Sequence, residues 1–167
     1  DNLPSRSTIS ALPLRLHTLL LPVFVPIAYS HIPLLPRTLT QLTFAFEDTA
    51  FNDASSSTPS HIDLPPHLTS LDVTNAPSEL LPGLPSGLEV LLVFFRKPIV
   101  ANTLSMTSLP PSLKTLRISV DEFTPDMSLN LPRQLERLNI GLELAKSRLI
   151  SIAAVAALPR SLTSLRL

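Results

Sequence analysis

The pattern Leu-Pro-x-x-Leu-x-x-Leu-x-apolar is written seven times in these 167 residues, beginning at Leu12, Leu35, Leu64, Leu84, Leu109, Leu131 and Leu158. Three copies read Leu35-Pro36-Arg37-Thr38-Leu39-Thr40-Gln41-Leu42-Thr43-Phe44, Leu109-Pro110-Pro111-Ser112-Leu113-Lys114-Thr115-Leu116-Arg117-Ile118 and Leu158-Pro159-Arg160-Ser161-Leu162-Thr163-Ser164-Leu165-Arg166-Leu167. Successive copies start 23, 29, 20, 25, 22 and 27 residues apart. A unit recurring at such a period confines the chain to a repeat architecture in which each copy is one rung of a stack. The closing Leu-x-apolar of each unit alternates with the period of a strand. In the second copy, Leu42 and Phe44 are predicted to point to one side, and Gln41, Thr43 and Ala45 to the other. Leu35 and Leu39 turn inward with Leu42. One rung cannot bury these side chains, so its neighbours must. Seven strands spaced about 4.8 Å apart make a parallel sheet about 29 Å across.

The repeat also accounts for a composition that misleads when taken alone. Eighteen prolines against three glycines suggest disorder, and 44% hydrophobic residues suggest a membrane. Seven of the prolines hold the same slot, however, and the leucines form a shared core. Proline fixes its own φ, pushes the preceding leucine to extended geometry and lacks an N–H for a ladder. It belongs just before each strand, where the prolines at 13, 36, 65, 85, 110, 132 and 159 are predicted to form a column. The apolar stretch between Ile9 and Leu35 is broken by Pro13, Pro22, Pro26 and Pro33 and interrupted by Arg15 and His17. It is therefore expected neither to insert in a membrane nor to act as a signal peptide.

The formal net charge is zero but unevenly placed: −4 over residues 1–83 and +4 over residues 84–167. Such a dipole steers charged partners. There is no cysteine and no Asn-x-Ser/Thr sequon. Both absences point to an intracellular, cytoplasmic setting, unless the chain is part of a secreted effector. Among the connectors, residues 143–157 are rich in helix formers and lack Gly and Pro, which predicts a helix. Residues 55–60, Ser-Ser-Ser-Thr-Pro-Ser, predict a mobile loop. Residues 74–83 leave room for a turn only, and the connectors holding Pro22, Pro26, Pro33, Pro98 and Pro125 should be extended or 3₁₀-like.

The units resemble the Leu-Pro-x-x-Leu-x-x-Leu type of leucine-rich repeat. That type occurs in injected bacterial effectors that pair such an array with a ubiquitin-ligase domain, and Leu81-Pro82-Gly83-Leu84-Pro85-Ser86-Gly87-Leu88 matches it best. The units are similar also to the FNIP-type repeats of microbial eukaryotes, whose Phe-Asn is met here once, at Phe51-Asn52 and without the following Ile-Pro. The asparagine that ladders along many such arrays is replaced by Phe24, Glu47, Ala76, Arg96, Asp121 and Glu143. The resemblance implies an α/β solenoid: a right-handed leucine-rich repeat superhelix with a parallel concave sheet of about seven strands and an irregular, partly helical convex side. Residues 1–11 are then a flank or partial preceding turn, and residues 12–167 the array. An apolar strand residue at Leu167 and the lack of a polar cap predict a segment of a longer protein whose uncapped ends self-associate.

Catalytic chemistry finds little material. Three glycines make no phosphate loop, no serine sits in a Gly-x-Ser-x-Gly turn, and His17, His31, His61 and His67 show no metal-ligand spacing. The chain is therefore expected to be non-catalytic, without metal or cofactor: a module that binds a protein partner on its concave sheet. The alternative is the substrate-recognition segment of a larger enzyme, such as a ubiquitin ligase, with catalysis elsewhere. The contact residues are predicted at outward strand positions: Gln41, Thr43, Asp72, Val90, Leu92, Phe94, Arg117, Arg137, Asn139 and Arg166. Val90, Leu92 and Phe94 form an apolar patch among polar strands, as binding cores do. Arg117, Arg137 and Arg166 place a basic stripe beside it. Nucleic acid is not expected there, because aromatics for base stacking are nearly absent and Glu89 and Glu136 interrupt the charge.

Overall fold

The computed structural model describes residues 6–47, 62–95, 106–120, 122–142 and 151–167. Each repeat unit builds the same local structure. The carbonyl of the Leu-Pro proline accepts the N–H of the leucine three residues on, in all seven copies, from Pro13 to Leu16 through Pro159 to Leu162. This turn delivers the chain into the strand with proline at a position that needs no donor. The next step is shared between rungs. The carbonyl of the residue just before each strand accepts two N–H groups from the following unit. His17 receives Thr40 and Gln41, Thr40 receives Thr69 and Ser70, Thr69 receives Glu89 and Val90, Glu89 receives Lys114 and Thr115, Lys114 receives Glu136 and Arg137, and Glu136 receives Thr163 and Ser164, all within 2.8–3.1 Å. Hydroxyls reinforce the fork. Thr38 Oγ1 donates to the Leu14 and Leu16 carbonyls at 2.8 Å, and Ser112 Oγ to those of Ser86 and Leu88 at 2.7 Å.

The strands are β1 (Thr18–Leu20), β2 (Pro26–Ile27), β3 (Gln41–Phe46), β4 (Ser70–Ala76), β5 (Val90–Phe95), β6 (Thr115–Val120), β7 (Arg137–Leu142) and β8 (Ser164–Arg166). All pairings are parallel, and the sheet is open with order β1-β3-β4-β5-β6-β7-β8. β2 pairs with the C-terminal half of β3, so β1 and β2 are two pieces of one rung. The interruption has a cause in the sequence. Leu21 still donates to Thr43 O at 2.9 Å, but Pro22 has no N–H to offer. The chain leaves the ladder there, turns through a Val25 N–H to Pro22 O bond, and re-enters at Pro26.

Register places equivalent leucines side by side: Leu19, Leu42, Leu71, Leu91, Leu116, Leu138 and Leu165. Leu42, Leu71, Leu91, Leu116 and Leu138 are at most 2% exposed, as expected from sequence, whereas Leu165 at the end is 41% exposed. Leu39, Leu68, Leu88, Leu113 and Leu135 are fully buried beneath them. The same gradient, complete burial inside and partial burial at both ends, is what a stack produces when each rung is covered only by its neighbours.

The connectors depart from expectation in several places. Residues 74–83 hold more than a turn: β4 runs on to Ala76, and Ser78–Gly83 is a 3₁₀ helix with Leu80 and Leu81 buried. The connector holding Pro125 is an α-helix, α2 (Pro125–Leu129), not an extended segment. Pro125 occupies its first turn, where no donor is lost, and the Thr124 hydroxyl caps it by accepting from Met127 N at 3.3 Å. The connector with Pro33 is 3₁₀ as expected, at Tyr29–Leu34. Of the helix expected over residues 143–157, the described part is α3 (Ile152–Ala156), capped by the Ser151 hydroxyl and packed beside α2; the loop expected at residues 55–60 and the connector at Pro98 lie outside the described residues. A third α-helix, α1 (Arg6–Ser10), packs on the 3₁₀ helix Tyr29–Leu34.

Two strand details also differ. Ala45 is fully buried instead of facing outward with Gln41 and Thr43. Ser119, also past the repeat unit's last apolar slot, is likewise buried at 5%. In β4 the register shifts between Val73 and Ala76, a bulge at which Asn75 has φ of 55°. Asparagine is among the few residues that enter this left-handed region readily.

Truncating Leu116 to alanine removes a fully buried side chain from the middle of the leucine row. The expected cost is about 2–5 kcal/mol, read as a lowered denaturant midpoint. The same truncation at Leu165, already 41% exposed, is expected to cost clearly less.

Candidate functional site

The face of the sheet opposite the leucine row carries two lateral rows of side chains. One runs Thr18, Gln41, Ser70, Val90, Thr115, Arg137, Ser164, and the other Leu20, Thr43, Asp72, Leu92, Arg117, Asn139, Arg166. Every predicted contact residue except Phe94 lies in one of these rows. Gln41, Arg117, Arg137 and Arg166 are exposed; Thr43, Asp72, Val90, Leu92, Phe94 and Asn139 are partly exposed. The alternation predicted from the period of two therefore holds for the first three positions of β1 and of β3 to β7, whereas β8 is exposed at all three.

Register groups the predicted residues into three sets. Gln41 and Thr43 stand on β3, toward the acidic half of the chain. Asp72, Leu92 and Arg117 are adjacent in one row, so the leucine lies between a carboxylate and a guanidinium. Arg117, Arg137, Asn139 and Arg166, with Leu92, line a shallow depression of about 260 Å³ over β5–β8; Thr115, Leu116, Leu138 and Ser164 complete it. The side chains of Leu116 and Leu138 are in the core, so these residues offer backbone to its floor. Val90 and Phe94 fall outside the lining.

The apolar patch expected at β5 is muted. The Arg117 guanidinium lies 4.9 Å from the centroid of the Phe94 ring, a cation–π contact that covers the ring and steers the arginine. Asp72 and Arg117 flank Leu92 on either side. The large apolar side chains most open to solvent lie elsewhere. Leu14, Leu20, Val23 and Phe24 are 81%, 65%, 61% and 80% exposed around the β1 edge. At the other end Leu129, Ile152, Leu165 and Leu167 are 69%, 88%, 41% and 48% exposed. Leu20 faces outward in the row with Thr43 and Asp72; Leu14, Val23 and Phe24 belong to the first unit, Leu129 closes α2, and Ile152, Leu165 and Leu167 belong to the last two units.

Electrostatics divides the face. Among the described residues two salt bridges bind neighbouring turns, Arg37–Asp63 at 2.6 Å and Lys114–Glu89 at 3.1 Å, both at exposed positions of small energetic worth. Burial raises the Asp72 carboxyl above its ordinary value of 3.8, and the Arg117 charge offsets part of that rise. Arg137 and Arg166 have no ion-pair partner among the described residues. Nor is there, among those residues, a group of three His, Asp or Glu able to hold a metal, or a helix long and apolar enough to cross a membrane. His31 keeps a buried Nδ1 without a hydrogen-bond partner.

A folded-state pKa raised by desolvation means that the fold favours protonated Asp72. Stability from this group is full below its unfolded pKa and is lost as pH rises through the raised folded value. Ionised Asp72 therefore costs stability at neutral pH. Asp72→Asn is expected to raise the melting temperature at about pH 7 and to lose that advantage below about pH 3. Parallel melting curves across this range check it, and a variant less stable at neutral pH contradicts it. Comparison of the chain with family models, with curated proteins and with solved structures found no match to any of them.

Proposed function

We propose that the chain is a leucine-rich repeat solenoid whose open sheet face binds a protein partner, without catalysis of its own. The right-handed superhelix and the concave shape of that face belong to this reading. It is supported by the period of the units, by the in-register parallel rungs and by the forked hydrogen bond repeated at each of six steps. The observation that carries the functional part is the depression of about 260 Å³ on the open face, where Leu92 adjoins Arg117, Arg137 and Arg166. A partly exposed leucine beside cations is how a recognition surface combines affinity with steering.

Partner contacts are expected to centre on β5–β8. Leu92 is the anchor: covering its exposed surface contributes up to about 1.5–3 kcal/mol. The arginines act more on association rate and salt sensitivity than on affinity. Leu92→Asp is expected to abolish partner retention while leaving the circular dichroism spectrum unchanged, because the side chain faces away from the leucine row. Normal retention by this variant contradicts the assignment and turns attention to the other side of the array.

The ends make a separate prediction. β8 has an unpaired edge among the described residues, with Leu165 and Leu167 open beside it, and the β1 edge exposes Leu20 and Phe24. Unpaired edges with apolar neighbours favour association. The 167-residue chain is expected to self-associate as its concentration rises; light scattering that shows a monomer throughout contradicts this.

A further inference from the structure

We infer that the depression over β6–β8 receives an acidic peptide segment, whose carboxylates are held by Arg137 and Arg166 with Arg117 at the rim. The inference rests on the open face being a protein-binding surface, and adds the chemistry of the partner. Arg117 and Arg166 share one lateral row with Asn139 between them. Two strand spacings put their Cα atoms about 9.6 Å apart. Arg137 stands on the intervening strand, two residues earlier, displaced by about 6.7 Å along it. Three guanidinium groups thus surround one concavity of about 260 Å³.

These charges are not balanced within the described residues. The described salt bridges, Arg37–Asp63 and Lys114–Glu89, lie outside the depression, and no acidic residue lines it. Arg117 feels Asp72 across Leu92, but Arg137 and Arg166 face no acid at salt-bridge distance among the described residues. The Asn139 and Thr115 side chains, also in the lining, make no hydrogen bond within the described residues. Clustered cations repel one another, and an arginine fork matches a carboxylate with two parallel hydrogen bonds. A ligand carrying carboxylates relieves the repulsion and fills those donors.

The occupant is a peptide rather than a nucleic acid for three reasons. The lining of the depression holds no aromatic side chain for base stacking, and Phe94, outside it, has Arg117 over one face of its ring. Leu92 adjoins the cations, which suits a segment that carries an apolar residue beside its acids. Exposed Glu89 and Glu136 precede β5 and β7 and interrupt any track for a phosphate backbone. An extended segment places carboxylates two residues apart about 6.7 Å from each other, and three residues apart about 10 Å, which spans the arginine separations.

The test is a random peptide library displayed on phage, selected against the full chain, with enriched peptides then synthesised and titrated. The expected result is enrichment of Asp- and Glu-rich sequences with an apolar neighbour. Their binding weakens with added salt and falls about tenfold or more in the Arg137→Glu/Arg166→Glu variant. Arg133→Glu, on the exposed turn before β7, leaves binding unchanged, and unaltered circular dichroism shows that each variant folds. Enriched peptides without acids, lost in Leu92→Asp but kept by the arginine variant, overturn this inference and leave the open-face reading standing. Binding indifferent to both variants overturns both. No enrichment, or a single-stranded oligonucleotide held more tightly than the acidic peptides by the same arginines, overturns the peptide assignment.

Discussion

No rung of this array can bury its own apolar side chains, and everything else in the structure follows from that. A unit presents a leucine before the proline, a second after the turn, a third in the strand and an apolar residue at the strand's end. All four lie toward the core, so the covering surface must come from the units before and after. Leu113 and Leu116, with a rung on both sides, are fully buried, while Leu165, with a rung on one side, is 41% exposed. The side chains are nearly identical. Neighbour number alone sets the burial, and with it the share of hydrophobic stabilisation that each contributes.

Register is fixed by hydrogen bonds as well as by leucines. The two N–H groups entering each strand converge on one carbonyl of the preceding unit, six times over. A slip of one residue would break that fork and turn the leucine row to solvent. With the inward slots and the entry turn so constrained, the outward slots are free to differ. That freedom explains why one face reads as nearly the same residue at every rung while the other runs Thr43, Asp72, Leu92, Arg117, Asn139, Arg166. Chemical individuality is concentrated where the fold asks for nothing.

Much of this was legible in the residues, for physical reasons that also mark the limits. The strands, their parallel order and the buried row follow from a ten-residue pattern whose period is that of a strand. The outward positions of Leu92, Arg117 and Arg137 follow from alternation. Alternation fails at Ala45 and Ser119, which sit just past the unit's last apolar slot and are buried, while Thr74 and Phe94 at the same slot stay partly exposed. It also fails to locate the bulge at Asn75, since one asparagine in a strand signals no register shift by itself. The α2 helix was missed because proline was read as a breaker, although at a first turn behind Thr124 it is a starter. The splitting of the first rung had a signal, Pro22 and Pro26 flanking a short loop, that the regularity of the leucines masked. Exposure of Leu165, in the inward row, depends on being at an end, a property of the stack and not of any window of sequence.

Mutual burial is tested most directly by amide hydrogen exchange followed residue by residue. The account predicts that the amides of Leu91 and Leu116, and the forked donors Lys114 and Thr115, are the slowest in the chain. Protection should then fall stepwise toward β1 and β8, because interior rungs open only when a neighbour has opened first. Amides of β6 exchanging as fast as those of β8 would show that rungs hold their structure independently, and would contradict the account.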